Sequence, residues 1–383
     1  MSTALIFYPY CHIKSTSKQI LVYDSVCGQY VFHKTNPLSY ANRHNIISGY
    51  IIPDEGCNGF VEECLAKHLG YLCEFSEVLP FMHKRTLDFV SSLKKERESL
   101  GYNLQSSTNP LLKSVTLLLN NSCDSYSKEE CLQMDYPDYN SCDIDIASVL
   151  EQLSLFPSLE TIILSGEIDS VQLELVLDYA KAHGISIIHR LLYNSALSKE
   201  LDTIRSRHGN YSVEFLLDGK SDLNSVSEYS DNRTYYKAII SSVDDIAKFD
   251  NLTDTDFTYI PVLSSNIDEL ISLMQMSEEE ILKTPKSLET CLFADYINMN
   301  AYGHLTICYD GSIMCLGKKY ASIHDVDLSQ FVNRWVGLDD CTWYYSRKKK
   351  EKCADCALQC LCPAISVYEE LGLIDSPCAY SKE

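Results

Sequence analysis

Short apolar runs alternate with helical patterns through the middle of the chain, and this alternation constrains the fold more than any other feature. Continuous apolar runs are typical of strands buried on both faces, and their alternation with helices predicts a parallel sheet covered by helices. The predicted strands are 114–119, 161–164, 185–188, 212–217, 236–240 and 257–263, and the predicted helices are 144–156, 170–183 and 267–276. Six such units predict an α/β fold, a partial (β/α)6 TIM-like barrel, with ligand sites at the C-terminal ends of the strands.

The first hundred residues have a different pattern. Residues 19–23 and 28–33 are rich in β-branched and aromatic side chains and flank a short polar turn, which predicts a β-hairpin. Helical patterns follow at about 59–72 and 87–100. We predict a winged-helix-like α+β module over residues 1–105. A helical lid that caps the barrel is the alternative.

The cysteines divide the chain again. Nine of the 17 cysteines lie between Cys291 and Cys378, and none lies between Cys142 and Cys291. This asymmetry predicts a boundary near residue 285. Three regions follow, at 1–105, 110–285 and 286–383.

The C-terminal cysteines have the spacing of a metal site. Cys353 and Cys356 form a CxxC pair, followed by Cys360, Cys362 and finally Cys378. Several thiolates in one short segment suit a four-cysteine iron–sulfur or zinc site, and nine cysteines would supply two of them. Free buried thiols are the remaining alternative.

A hairpin is predicted upstream of this group, with Asp310-Gly311 as its turn. A two-residue turn would place Cys308 opposite Ile313 and Cys315 opposite Thr306. Strand parity would then put both thiols on one face of the hairpin.

Charge and the N-terminus limit the partners and the compartment. The chain has 32 Lys+Arg against 53 Asp+Glu, a formal charge of -21, which repels nucleic acid and anionic membrane surfaces. The first ten residues lack the basic start of a signal peptide, and no apolar stretch is long enough to span a bilayer. We therefore expect a cytoplasmic protein with reduced thiols.

The C-terminal segment resembles the SPASM extension of radical-SAM peptide-maturation enzymes. That extension combines an early cysteine, a hairpin with Gly and a following Cys, a CxxC pair and later cysteines. The resemblance implies one or two 4Fe–4S clusters. Its ligands would come from Cys291, Cys315, Cys353, Cys356, Cys360, Cys362 and Cys378, with Cys308 and Cys341 as substitutes.

The middle region resembles a radical-SAM barrel whose cluster motif is incomplete. In that family a CxxxCxxC loop after the first strand holds the cluster that binds S-adenosylmethionine. The corresponding positions here are Cys123, Ser127 and Glu130, and serine and glutamate are poor ligands for such a cluster. An unconventional cluster using Cys123, Cys131 and Cys142 is the alternative.

A second family mark is a Gly-Gly-Glu segment after the second strand, which meets the amino group of the cofactor. Here the segment includes Gly166 and Glu167. Glu167 is either a remnant of that site or an ordinary carboxylate at the start of a helix. Because both family motifs are incomplete, the resemblance argues against S-adenosylmethionine as a ligand.

As a whole, the chain resembles the pseudo-radical-SAM proteins with SPASM domains that accompany double-glycine-leader peptides in Bacteroidales. The resemblance implies a non-catalytic accessory of peptide maturation. Its partners would be a precursor peptide with a double-glycine leader, captured on a strand edge, and an active radical-SAM maturase. A redox enzyme that uses the auxiliary clusters, or a cluster at Cys123, is the alternative.

Two further patterns lie in the C-terminal region. The basic run at 347–352 favours a solvated helix face over a partner for an acidic peptide or a cluster. The aromatic residues Trp335, Trp343, Tyr344 and Tyr345 are candidates either for a binding surface or for shielding a metal site from water.

Overall fold

The computed structural model describes most of the chain in several ranges. These are residues 3–77, 112–119, 144–166, 170–193, 198–217, 233–250, 257–262 and 275–374, with Ser272, Ser376 and Cys378. No helix in these ranges is long and apolar enough to cross a membrane.

The N-terminal region contains two three-stranded sheets and two helices. Strands β2, β3 and β4 form one antiparallel sheet, and β1 lies between β5 and β6 in the other. The predicted hairpin is confirmed as β3 and β4. The bounds are β1 Thr3–Phe7, β2 Cys11–Ser15, β3 Ile20–Asp24, β4 Tyr30–His33, β5 Tyr50–Ile51 and β6 Gly70–Glu74, with helices α1 Tyr40–Asn45 and α2 Asn58–Ala66.

The helix predicted at 59–72 is correct only over its first part. Helix α2 ends at Ala66, His68 then has a φ of 55°, and the chain continues into strand β6. A Cβ at Gly70 would lie 2.3 Å from the carbonyl oxygen of Ile6, so glycine permits the close approach of β6 to β1. Pairing with β1 therefore overrides the helical spacing of this segment. The helix predicted at 87–100 lies outside the described residues.

All six strands predicted in the middle region are confirmed, and each pairs in parallel with its sequence neighbour. They occupy one side of a nine-stranded sheet of order β12-β11-β10-β9-β8-β7-β13-β14-β15. Strand β13 pairs in parallel with β7, so the C-terminal hairpin extends the same sheet. The bounds are β7 Ser114–Leu118, β8 Thr161–Ser165, β9 Ser186–Leu192, β10 Tyr211–Leu217, β11 Thr234–Ile240, β12 Phe257–Pro261, β13 His304–Ile307, β14 Ser312–Cys315 and β15 Lys318–Ser322.

Helices cover one face of this sheet. Val115, Ile162 and Val213 point from the strands into a core shared with Val149 and Val176 of the covering helices. The bounds of the remaining α-helices are α3 Ile146–Leu153, α4 Ser170–His183, α5 Ser198–Arg207, α6 Val243–Asp250, α7 Glu278–Lys283, α8 Leu288–Ala294, α9 Leu328–Trp335, α10 Glu351–Ala354 and α11 Val367–Glu370. The helix predicted at 170–183 is confirmed at both ends, and α3 lies inside the one predicted at 144–156. Most of the helix predicted at 267–276 lies outside the described residues.

The C-terminal hairpin has a different register from the predicted one. Ile307 pairs with Ile313, and the Cys308 N–H donates to the Ser312 oxygen, so Tyr309, Asp310 and Gly311 form the loop. Gly311 has a φ of 80°. Because the loop is one residue longer than a two-residue turn, Cys308 and Cys315 lie on opposite faces, and the predicted shared face is wrong.

Candidate functional site

Four C-terminal thiols form a group, and three of them, Cys356, Cys362 and Cys378, pack against one buried core. The pKa of the Cys362 thiol is raised to about 12, first by burial; the charge of Arg347 opposes the rise, and the thiolates of Cys378, Cys356 and Cys353 add to it. Burial likewise raises the pKa of Cys356, with contributions from Cys353 and Cys378. These four residues, Cys353, Cys356, Cys362 and Cys378, are the thiol group of this chain.

Cys291 and Cys360 form a separate pair. A hydrogen bond between the two side chains lowers the pKa of Cys291 and raises that of Cys360. Both residues are buried in a core with Leu21 and Tyr23 of β3. The N-terminal sheet therefore covers this pair directly.

The other candidate ligands lie elsewhere. Cys315 and Cys341 belong to the core under the large sheet, and Cys308 packs against Leu118 and Met314. Cys315 contacts the main-chain oxygen of His304 at 3.7 Å. The structure thus brings six of the nine C-terminal cysteines into two neighbouring clusters and leaves three apart.

The positions of the incomplete family motifs lie outside the described residues. They are Cys123, Ser127, Glu130 and Glu167, together with Cys131 and Cys142. The residue just before Glu167, Gly166, lies within the described residues. Gly166 donates its N–H to the Arg190 oxygen and accepts a hydrogen bond from His189 Nε2 at 3.0 Å, so strand β9 fixes the end of β8.

The basic run at 347–352 is not a solvated helix face at its first residue. Arg347 has a side chain that is 3% exposed, and it donates to both carboxylate oxygens of Glu369, at 3.0 and 2.9 Å. It also donates to the main-chain oxygens of Pro363 and Ala364. The favoured prediction is therefore wrong for Arg347, because a buried carboxylate from α11 that the spacing does not reveal pairs with it.

The aromatic residues near the cysteines are internal. Trp335, Trp343 and Tyr344 are fully buried in the core under the sheet, and the two tryptophan rings lie 5.2 Å apart. They therefore do not line a binding surface.

Thiolates are suitable ligands for a soft metal, but the positions of these thiols match a metal site only in part. Within the described ranges, no three His, Cys, Asp or Glu side chains are arranged to hold a metal ion. A space of about 260 Å³ opens beside Cys360 and Cys362. Thiolates are the ligands that iron–sulfur clusters require, so the thiol group matches such a cluster in ligand chemistry.

A larger cavity of about 560 Å³ lies on the face of the sheet opposite helices α3 and α4. Strands contribute Thr116, Ser165, Arg190 and Lys237 to its wall, and Ser366 at the start of α11 lines the other side. Tyr368 of α11 donates to the Pro261 oxygen at 2.8 Å, which fixes this helix at the end of β12.

Two cations that line this cavity, Arg190 and Lys237, share a carboxylate from the strand between them. Glu214 of β10 pairs with Arg190 of β9 and, at 3.1 Å, with Lys237 of β11. Burial by itself would raise the pKa of Glu214, but the two cations outweigh burial and lower it. Burial, followed by the charge of Arg190, lowers the pKa of Lys237.

Arg190, Glu214 and Lys237 were not among the predicted site residues. The available signal was the presence of charged side chains inside strands that are otherwise apolar, at positions where a doubly buried strand would carry Val, Ile or Leu. Such charges are retained in a core only when they are paired or functional.

Within the described residues, strand β6 is an edge strand of the N-terminal sheet. Among the described strands it is hydrogen-bonded only to β1, and its side chains Tyr71 and Leu72 are 45% and 46% exposed. Tyr8 lies beside Tyr71 and stacks on Tyr10, which extends the aromatic surface. The main-chain groups of an open edge can pair with an added strand.

Comparison with known proteins identifies no family for this chain. No family model and no curated protein matches it. A crystal structure of Streptococcus suis SuiB bound to precursor peptide SuiA aligns with 97% of this chain and 98% of its own, at 11% identity and a TM-score of 0.43. SuiB bound to S-adenosylmethionine aligns with 97% of both chains, again at 11% identity and a TM-score of 0.43. Similarity at this level carries no argument about fold or function.

Proposed function

We propose that this chain is a non-catalytic accessory of the maturation of a ribosomally made peptide, with iron–sulfur clusters in its C-terminal region. The observation that carries the proposal is the thiol group of Cys353, Cys356, Cys362 and Cys378, of which the last three pack against the core that contains Cys291 and Cys360. The six parallel strands would form the degenerate partial barrel, and the N-terminal region the winged-helix-like module.

The thiol group would hold one 4Fe–4S cluster, and Cys291 and Cys360 would contribute to a second. A cluster of this type supplies electron transfer or a structural cross-link when it is bound. The described cysteines are all free thiols, which suits the reducing cytoplasm.

Peptide capture would take place at the open edge of β6. An extended peptide can add a strand there through main-chain hydrogen bonds, while Tyr71 and Leu72 offer apolar contacts on the two faces. The peptide would be a precursor with a double-glycine leader, and an active radical-SAM maturase would perform the chemistry.

The sequence supports a non-catalytic role. Ser127 and Glu130 replace two of the three cysteines that a cluster able to cleave S-adenosylmethionine requires. A redox enzyme with a cluster on Cys123, Cys131 and Cys142 is the alternative.

The first test is the iron, sulfide and zinc content of protein purified without oxygen. The proposal expects up to about eight irons per chain with matching sulfide, that is, up to two clusters. Replacing Cys353 and Cys356 by alanine should remove about four of them. Replacing Cys308, which packs with Leu118 and Met314, is the matched control and should leave the iron content unchanged.

The outcomes separate the alternatives. Zinc without iron would replace the clusters by a structural metal site. About twelve irons, with loss of four in the Cys123→Ala variant, would favour the redox enzyme. Reductive cleavage of S-adenosylmethionine by the reconstituted protein would refute the non-catalytic role.

A further inference from the structure

The large cavity on the sheet has a charge opposite to that of the protein. The chain as a whole carries a formal charge of -21. The described residues that line the cavity nevertheless include Arg190 and Lys237 and no Asp or Glu. Two cations on the wall of a partly open cavity in an acidic protein indicate a site for an anion.

These two cations have more hydrogen-bond donors than Glu214 can use. Arg190 bonds to Glu214 through Nε, and its two terminal nitrogens have no partner among the described residues. Lys237 has three N–H donors and contacts one oxygen of Glu214. The buried hydroxyl of Ser165, in the same wall, also has no hydrogen-bond partner in the described part of the chain.

The charge balance points the same way. Arg190, Lys237 and Glu214 sum to one positive charge in a partly desolvated space, where an unbalanced charge is costly. A single carboxylate from a ligand would balance this charge. It would also accept hydrogen bonds from the unused donors of the guanidinium and the ammonium.

We propose that this cavity binds a ligand through one carboxylate placed between Arg190 and Lys237. The carboxylate belongs either to a peptide, as an acidic side chain or a C-terminus, or to a free carboxylic acid. S-adenosylmethionine, whose sulfonium and ammonium outnumber its carboxylate, is a poor match for the same wall. The site uses none of the thiols and goes beyond the function proposed above.

The test is calorimetric titration of the full-length protein with matched capped tripeptides. Acetyl-Gly-Glu-Gly-amide and acetyl-Gly-Gln-Gly-amide differ only in the charge of the central side chain. The glutamate peptide should bind about tenfold or more tightly, as expected for a charge-assisted contact to two cations. Glutarate is the second arm. Tighter binding of glutarate than of the peptide assigns the site to free acids, and the reverse assigns it to peptides.

Two variants should shift the affinity in opposite directions. Lys237→Met leaves a neutral Arg190–Glu214 pair and should weaken binding of the glutamate peptide about tenfold. Glu214→Gln removes the competing carboxylate and should tighten binding. A loss of packing alone would not produce opposite signs. Lys248→Met, which removes an exposed lysine on α6, is the matched control and should leave the affinity unchanged.

Equal binding of the two tripeptides, with glutarate binding no more tightly than they do, would overturn the proposal. So would variants at Lys237 and Glu214 that shift the affinity in the same direction, or S-adenosylmethionine binding more tightly than either anion. Tryptophan fluorescence before each titration checks that the variants are folded. If Lys237→Met does not fold, the sign of the Glu214→Gln effect still decides.

Discussion

Replacing Glu369 by glutamine should destabilise the C-terminal region by about 3–5 kcal/mol, the usual cost of breaking a buried ion pair from one side. The Glu369 side chain is 1% exposed and accepts hydrogen bonds from Arg347 at 2.9 and 3.0 Å and from Lys350 at 3.2 Å. Glutamine preserves the shape of the side chain but removes its charge. Arg347, with 3% exposure, would then be buried with only main-chain oxygens and a neutral amide as acceptors.

The two tryptophans of the chain make this destabilisation measurable. Trp335 and Trp343 are both buried in the core beside the C-terminal segment, so their fluorescence reports on unfolding of this region. Urea titrations should show a lower midpoint for Glu369→Gln with an unchanged slope.

A surface pair is the matched control. Lys283 and Glu279 of α7 are 66% and 71% exposed and pair with each other. Lys283→Met should therefore cost about 1 kcal/mol or less. If Glu369→Gln costs no more than Lys283→Met, the assignment of Arg347 and Glu369 as a buried, mutually dependent pair is refuted.

Three further predictions test other parts of the structure. Gln19→Ala removes the side-chain oxygen that accepts a hydrogen bond from the buried Ala357 N–H at 3.0 Å. It should lower the free energy of unfolding by about 1–3 kcal/mol in the same urea titration. An unchanged midpoint would mean that this contact does not stabilise the packing of the N-terminal sheet on the cysteine segment. Burial lowers the pKa of His189 to about 4, so on acidification the unfolded chain binds a proton before the folded chain does. The free energy of unfolding should therefore fall as the pH drops from about 6.5 to 4. The urea midpoints of His189→Gln should lose this part of the pH dependence, and a variant that keeps it would contradict the assignment of His189 as its source. Gly311→Ala should lower the free energy of unfolding by about 1–3 kcal/mol, because φ is 80° and the new Cβ would lie 2.4 Å from His324 Nε2. Gly209→Ala, with open space around it, is the control and should be close to neutral by thermal denaturation. Similar costs at the two positions would argue against the left-handed conformation of Gly311.

The parallel strands could be predicted because their information is local. Six runs of apolar residues are long enough to be strands and too short to be helices, and all six are strands in the structure. The same holds for the hairpin of β3 and β4, whose β-branched and aromatic residues flank a turn. Strands β1, β2 and β6 were missed because their pairing partners, and not their own periodicity, make them strands.

The candidate site was likewise predictable only where it depends on residues that are close in the chain. The spacing of Cys353, Cys356 and Cys362 already places three thiols in one turn-rich segment, and chemistry limits what such a segment binds. The hairpin shows the limit of this reasoning, since one extra loop residue, Tyr309, reverses the face on which Cys315 lies relative to Cys308.

By itself, the sequence determined the order of the six parallel strands, the acidic charge and the concentration of thiols near the C-terminus, because each depends on residues that are close in the chain. Only the tertiary structure decided which charges meet. Arg190, Glu214 and Lys237 come from three separate strands, and Arg347 and Glu369 from segments more than twenty residues apart. Register and packing bring these side chains within hydrogen-bond distance, and the desolvation that makes their pairing matter exists only after the sheet and its cover have assembled.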